Sequence, residues 1–200
     1  MGNKPIRIGN QASEHIQNDV YGQAMIDLLP LFTDYRFRHQ NKGLASQWTR
    51  FVLQKMELTI DEKDAGIWEF RNMEKRHCYS NLFQWAGATT ALKIARQYSL
   101  EEISIQANSK RERAIEHIES CYDDQRKAYT NAQDNTDLDA FTLQLIMMGY
   151  LNPNSTKAKD HLVQLEKVLK GEHDLFYRYL HKDDFGRPKS TFLVCSFWYV

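Results

Sequence analysis

Read by the spacing of its apolar positions, the chain is nearly all helix. Ile16, Val20, Ala24 and Leu28 recur every four residues and predict a first helix over 12–29. Leu44, Trp48, Phe51, Val52 and Met56 predict a second over 44–59. The third, 80–98, carries Leu82, Trp85, Ala86, Thr89 and Leu92, and its Ala-Gly-Ala run at 86–88 lets another helix approach closely. Ala114, Ile115, Ile118 and Cys121 mark a fourth over 110–122, and 138–150 is apolar almost all round. A sixth, 155–169, is one-faced through Leu162, Leu165, Val168 and Leu169, with Ser155 placed to cap its start. The last ten residues, 191–200, are apolar throughout. Their aromatic and β-branched content suits a buried strand as well as a helix.

Two kinds of helix alternate in this pattern. Those at 44–59, 110–122 and 155–169 have one apolar face and a charged one, which places them against water. Those at 80–98, 138–150 and 191–200 are richer in aromatic and small residues, which places them inside. Each one-faced helix is followed by a longer loop (60–79, 123–137, 170–190) leading into an inner one. Repeated helical hairpins predict a solenoid or toroid. No tetratricopeptide or ankyrin signature is present, so a toroid with long loops on one rim is preferred. Residues 191–200 stop without a cap, glycine or polar tail and need cover from elsewhere.

Composition narrows the function classes. The 200 residues, 42% hydrophobic, suffice for one core, and 26 basic side chains balance 26 acidic ones. No electrostatic footprint for nucleic acid or an anionic membrane follows from that balance. Cys78, Cys121 and Cys195 are odd in number and far apart, without metal-ligand spacing, and read as buried free thiols in a reducing compartment. No secretory leader and no membrane-spanning run is visible, so a soluble, cytoplasmic protein is expected. Paired histidines, a glycine-rich phosphate loop and CxxC are lacking, and neither a metal nor another cofactor is expected.

The candidate chemistry lies in DAGIWEFR, residues 64–71, where Glu69 follows Trp68 in a glycine-containing loop between two helical patterns. An indole face can stack on a sugar ring or wall off water. A carboxyl held in such apolar surroundings keeps its proton towards neutral pH, as a general acid must. Taken alone, a Trp-Glu pair is common, and Glu69 reads by default as a solvated loop residue.

DAGIWEFR together with HCYSNLFQWAG (77–87), YRY (177–179) and TFLVCSFW (191–198) resembles glycoside hydrolase family 15, the glucoamylase-like family that includes trehalases and glucodextranases. PIRIGN (5–10) and DVYG (19–22) extend the collinear match. The resemblance implies an all-α fold, a partial (α/α)6 toroid with about seven of twelve helices. The whole of 1–200 would then be a single, incomplete catalytic domain. It also implies hydrolysis of α-glucosidic bonds with inversion by two carboxyl groups, one protonating the leaving oxygen and one activating water. The family's general acid maps onto Glu69, beside Trp68; its general base lies beyond the matched segments. Arg178 and Tyr179 match a segment whose arginine contacts sugar hydroxyls, and Arg71 is placed to orient Glu69 or bind sugar. Asp139, Asp183 and Asp184 match no catalytic position; Asp139 is expected to cap the helix at 138.

Two departures from the family pattern border the expected pocket. Ser80-Asn81 stands where bacterial members often carry Ser-Lys, and Lys189-Ser190 where they often have an acidic residue and glycine. The expected substrate is an α-linked glucosaccharide, with this chain carrying the general-acid half of the site and inactive alone. The alternative is a non-catalytic helical scaffold that binds a saccharide or a protein. An incomplete toroid leaves edges open to self-association or to a complementing segment.

Overall fold

The computed structural model describes residues 14–37, 42–70, 73–183 and 186–200. The PIRIGN segment, residues 12–13, Arg71 and Asp184 lie outside the described residues. Seven α-helices occur among them: α1 (Asp19–Thr33), α2 (Lys42–Thr59), α3 (Cys78–Tyr98), α4 (Glu101–Glu119), α5 (Gln144–Met147), α6 (Thr156–Leu169) and α7 (Leu193–Tyr199). A two-stranded antiparallel hairpin, β1 (Tyr122–Asp123) with β2 (Ala128–Tyr129), interrupts the connection between α4 and α5. The apolar pattern alone gave no sign of it, because its strands are two residues long.

The helices pack as successive hairpins, and the core runs along the chain. Met25 and Phe32 of α1 meet Val52, Leu53 and Met56 of α2, Ala88, Ala91 and Ile94 of α3, and Ile103 and Ala107 of α4. The next cluster joins Cys78 and Leu82 to Ile118, Tyr129, Phe141 and Leu145. A third joins Leu138 and Leu143 to Leu165, Leu169, Phe176 and Cys195. As the alternation predicted, α3 is buried along most of its length, whereas α2, α4 and α6 each bury one stripe. The three cysteines are buried and free.

The small-residue run works as expected. Gly87 lies against Gly22 of α1, and a Cβ added at Gly87 would sit 2.7 Å from the Gly22 Cα. Backbone therefore meets backbone between α1 and α3, the closest kind of helix contact. Ser155 caps α6, its Oγ accepting the Ala158 N–H at 3.2 Å. Glu119, at the end of α4, accepts from the hydroxyls of Tyr129 (2.7 Å) and Tyr150 (2.6 Å) and from Lys157 Nζ (2.6 Å). That one carboxylate ties α4, the hairpin and α6 together.

Four readings of the pattern are corrected. Ile16 (58% exposed) precedes α1, and Val20 (51%) and Ala24 within it face outward; of the predicted stripe Leu28 alone packs on the core, while Gly22, Met25 and Phe32 are buried. The tight glycine contact, not the most apolar stripe, sets that helix's rotation. In α2, Val52 and Met56 are buried as expected, but Leu44, Trp48 and Phe51 are exposed. Helix α4 begins nine residues before the predicted start. Its buried stripe of Ile103, Ala107, Lys110, Ala114 and Ile118 is broken by a lysine that is 6% exposed and reaches Glu57 at 2.6 Å. Residues 138–150 form only a 3-10 turn (Ala140–Leu143) and the short α5.

Helix α7 departs from the inner position predicted for it and shows the open face for which cover from elsewhere was expected. Only Cys195 is buried, while Leu193 (61% exposed) and Phe197 (76%) stand open. The cover that 191–200 needs is not supplied by the described residues.

Candidate active site

The three loops that enter α3, α5 and α7 pair with one another along one rim. Cys78 N–H donates to Asn131 O and Gln133 N–H to Arg76 O, joining the first loop to the second. Ala140 N–H donates to Arg178 O at 2.8 Å and Asp139 forms a bridge with Tyr179, joining the second to the third. The first loop is thereby joined to the third through the second.

The DAGIWE turn is built around Asp64. Its carboxylate accepts from the N–H of Asn18 (2.9 Å), the N–H of Gly66 (3.2 Å) and the hydroxyl of Ser80 (2.6 Å), binding the start of α1, the turn and the start of α3. Burial pushes the Asp64 pKa up, and the Ser80 hydrogen bond opposes that. Gly66 takes φ +64°, where His77 lies so close that a Cβ would meet its ring at 2.8 Å. Glu69 closes the turn with φ +54°, its N–H donating to Gly66 O at 3.2 Å. Asp64→Ala would leave three donors without their acceptor and is expected to lower stability by about 3 kcal/mol. Urea denaturation checks this, and a change below about 1 kcal/mol would mean water replaces the carboxylate fully.

Trp68 sits where the loops meet. Its indole N–H donates to Asp139 Oδ2 at 2.7 Å. Rings of Tyr179, Phe192 and Trp198 surround it at centroid distances of 6.1, 5.9 and 6.3 Å, and the Arg178 guanidinium lies over it at 5.8 Å. The indole is half-buried and acts as a wall of the site. Arg178 also lies 4.7 Å over the Tyr179 ring and pairs with Asp183 at 3.1 Å. The Tyr179 hydroxyl donates to Asp183 Oδ2 at 2.5 Å. Arg178, Asp183 and residues 186–189 line a cavity of about 340 Å³. Lys189, one of the departures noted above, is among them.

Of the predicted site residues, Trp68, Arg178 and Tyr179 are thus brought together, Glu69 is the direct neighbour of Trp68, and Arg71 lies outside the described residues. Glu69 itself is exposed, so the apolar enclosure expected around a proton donor is not built by the described residues. Ser80 and Asn81 are buried at the start of α3, Ser80 on Asp64 and Asn81 with its Nδ2 donating to His77 O at 2.9 Å.

Sequence reasoning missed three groups. Asp139 does cap, its Oδ1 accepting the Phe141 N–H at 3.1 Å, but its second oxygen holds Trp68. Burial pushes its carboxyl up to about 8. Asp183, the partner of Arg178 and Tyr179, follows Arg178 by five residues, a spacing with no meaning outside this loop. His181 stacks on Tyr179 at 4.2 Å and 17°, and Phe70 stacks on His77 beneath them. Burial holds His77 at about 4 and lowers His181. No group of three or more His, Cys, Asp or Glu among the described residues could hold a metal ion, and none of the described helices is long and apolar enough to cross a membrane.

Comparison with known proteins agrees with this arrangement. The model of Glycosyl hydrolases family 15 matches residues 1–200. A trehalase of Thermoplasma volcanium is 28% identical over 208 residues, which cover 100% of this chain and 32% of that protein. A trehalase of Mycobacterium tuberculosis is 25% identical, with 98% of this chain and 29% of that protein covered. The chain spans about a third of the length of these curated relatives. Among solved structures, a glycosidase in complex with glucose superposes with a TM-score of 0.72 at 12% identity, over 92% of this chain and 48% of the other. That likeness fixes the fold as a partial (α/α)6 toroid, to which the successive hairpins correspond.

Proposed function

We propose, from the premise that this chain belongs to glycosyl hydrolases family 15, that it carries the general-acid half of a glycosidase site for α-linked glucosaccharides. Residues 1–200 then act as one partial catalytic domain. The observation that carries this reading is the meeting of two distant segments. The Trp68–Glu69 turn packs against the Arg178–Tyr179 segment, with the guanidinium 5.8 Å over the indole. A guanidinium presents donors in a fixed fork, which suits vicinal sugar hydroxyls.

In the proposed mechanism Glu69 protonates the leaving glycosidic oxygen and Trp68 walls the reacting bond. Arg178, held by Asp183, offers its remaining N–H groups to sugar hydroxyls, and Tyr179 buttresses it. The second carboxyl, which activates water about 6.5–9.5 Å away in an inverting enzyme, is assigned to no residue here. The chain alone is therefore expected to release no glucose above a heat-denatured control. Trehalose is the first substrate to try, because the relatives are trehalases, followed by maltose, starch and dextran. Removal of an acid–base group lowers rates about 10²–10⁴-fold. Glucose release that Glu69→Gln abolishes would overturn the half-site reading and keep the acid assignment; release unchanged by Glu69→Gln would overturn the assignment itself.

The open apolar face of α7 favours a second reading, a scaffold that pairs with itself or with a complementing segment. Gel filtration separates the two. A concentration-dependent dimer that Phe197→Glu dissociates supports association, and a monomer at all concentrations removes it.

A further inference from the structure

Asp139 is fully buried at the junction of the three loops, and both of its oxygens are engaged. Oδ1 accepts the Phe141 N–H at 3.1 Å and Oδ2 accepts the Trp68 indole N–H at 2.7 Å. Its main chain is pinned as well, by the bridge to Tyr179 and the 2.8 Å bond from Ala140 N–H to Arg178 O. One peptide bond beyond Trp68, Glu69 occupies the left-handed region at φ +54°. A non-glycine residue there is disfavoured by about 1–3 kcal/mol and persists only where its surroundings fix it. The turn's own hydrogen bonds fix one side, Glu69 N–H to Gly66 O and Phe70 N–H to Ala65 O. The indole is the anchor on the other side, and its one polar atom is held by Asp139.

We propose that Asp139 is a positioning residue, whose grip on the Trp68 indole fixes the conformation of the Trp68–Glu69 turn and the direction in which the Glu69 carboxyl leaves it. The functional meaning rests on the assignment of Glu69 as the acid. An apolar residue at 139 would fill the space and leave the indole N–H without an acceptor. Asparagine keeps an acceptor and removes the titrating proton.

The test is a ¹H–¹⁵N spectrum of the whole chain, with the Trp68 indole resonance assigned through Trp68→Phe. The charged and titratable groups around Asp139 are Arg178 and Tyr179 of the third loop, Asp137 of its own loop, and the thiols of Cys78 and Cys195. In the wild type, the Trp68 indole and Glu69 amide resonances are expected to move together between pH 6 and about 9, following one titration. Asp139→Asn abolishes that movement and leaves both near their wild-type positions. Asp139→Leu shifts both and weakens glucose binding about tenfold.

A Trp68 indole resonance that moves with pH while the Glu69 amide stays still, or a pH response surviving in Asp139→Asn, would overturn the proposal. So would an unmoved Glu69 amide in a folded Asp139→Leu. Should Asp139→Leu fail to fold, the wild type and Asp139→Asn still decide it. Should the wild type not bind glucose, the substrate reading falls, while the two resonances still report on Asp139.

Discussion

Alanine at Gly22 is expected to lower folding stability by about 3–5 kcal/mol, beyond the ordinary range for a surface-helix substitution. A Cβ there would lie 2.0 Å from the Phe83 carbonyl oxygen and 2.4 Å from its carbon. Both atoms are backbone of α3 and cannot rotate aside. Ordinary contact requires about 3.4–4 Å, so α1 and α3 must part by more than 1 Å. Parting them loosens Met25 and Phe32 from Ala88 and Ala91 in the first core cluster. The gain in helix propensity from glycine to alanine, about 1 kcal/mol, opposes the loss and does not match it. Because the Asn18 N–H at the head of α1 is held by Asp64, the displacement also reaches the Glu69 turn. Urea denaturation measures the effect. Stability within 1 kcal/mol of the wild type would show that the helices slide instead of separating.

That contact also shows what the sequence discloses and what it hides. The run at 86–88 announced a close helix approach because small residues have one structural use at such density. Its partner, Gly22, lies inside DVYG and carries no local mark, so the stripe of Ile16, Val20, Ala24 and Leu28 meets the core only at Leu28. Ser155 was legible because a cap acts within three residues, and so was the alternation of α2, α4 and α6 with a buried α3. Lys110 shows the opposite case. A lysine whose stem lies in the core, with its ammonium led out to Glu57, breaks the apolar period and hides nine residues of α4.

The candidate site divides along the same line. Trp68, Arg178 and Tyr179 were picked out by resemblance and do meet in space. Their mutual contacts across about 110 positions have no local signature. Asp139 stands before an apolar run and therefore reads as a cap, which it is. Its second role, towards an indole 71 positions away, arises only when the loops converge. The enclosure expected around Glu69 was inferred from one neighbouring indole. That indole is consumed by Tyr179, Phe192, Trp198 and Arg178, and the carboxyl is left facing solvent.

Asp139→Asn is expected to change how stability responds to pH, by removing a contribution that falls steadily as pH rises from about 4 to about 8. Buried Asp139 keeps its proton up to about 8 in the folded state, against 3.8 for an ordinary aspartate. Between those values the folded state binds a proton that the unfolded state does not, so this group's contribution falls as pH rises through that window. His77 and His161 work the other way. Burial holds both near 4 against 6.5, and His161 is further committed to the neutral form because its Nδ1 accepts the Tyr129 N–H at 3.2 Å. The unfolded chain takes up these two protons first, so the histidines' contribution is complete above about 6.5 and is lost as pH falls towards 4. Asp19 and Asp64, also raised by burial, act in the direction of Asp139 and soften the acid loss. The two families of groups offset each other, and the wild type is expected to show a shallow optimum near neutrality. Asparagine removes only the aspartate's share. The stability of the wild type relative to Asp139→Asn should therefore fall by about 4 kcal/mol between pH 5 and pH 9. Urea titrations of both proteins at pH 5, 7 and 9 measure that difference. A difference that stays constant across the series would mean that Asp139 is ionised in the folded protein at every pH tested, with Arg178 and the Trp68 indole sufficient to hold its charge.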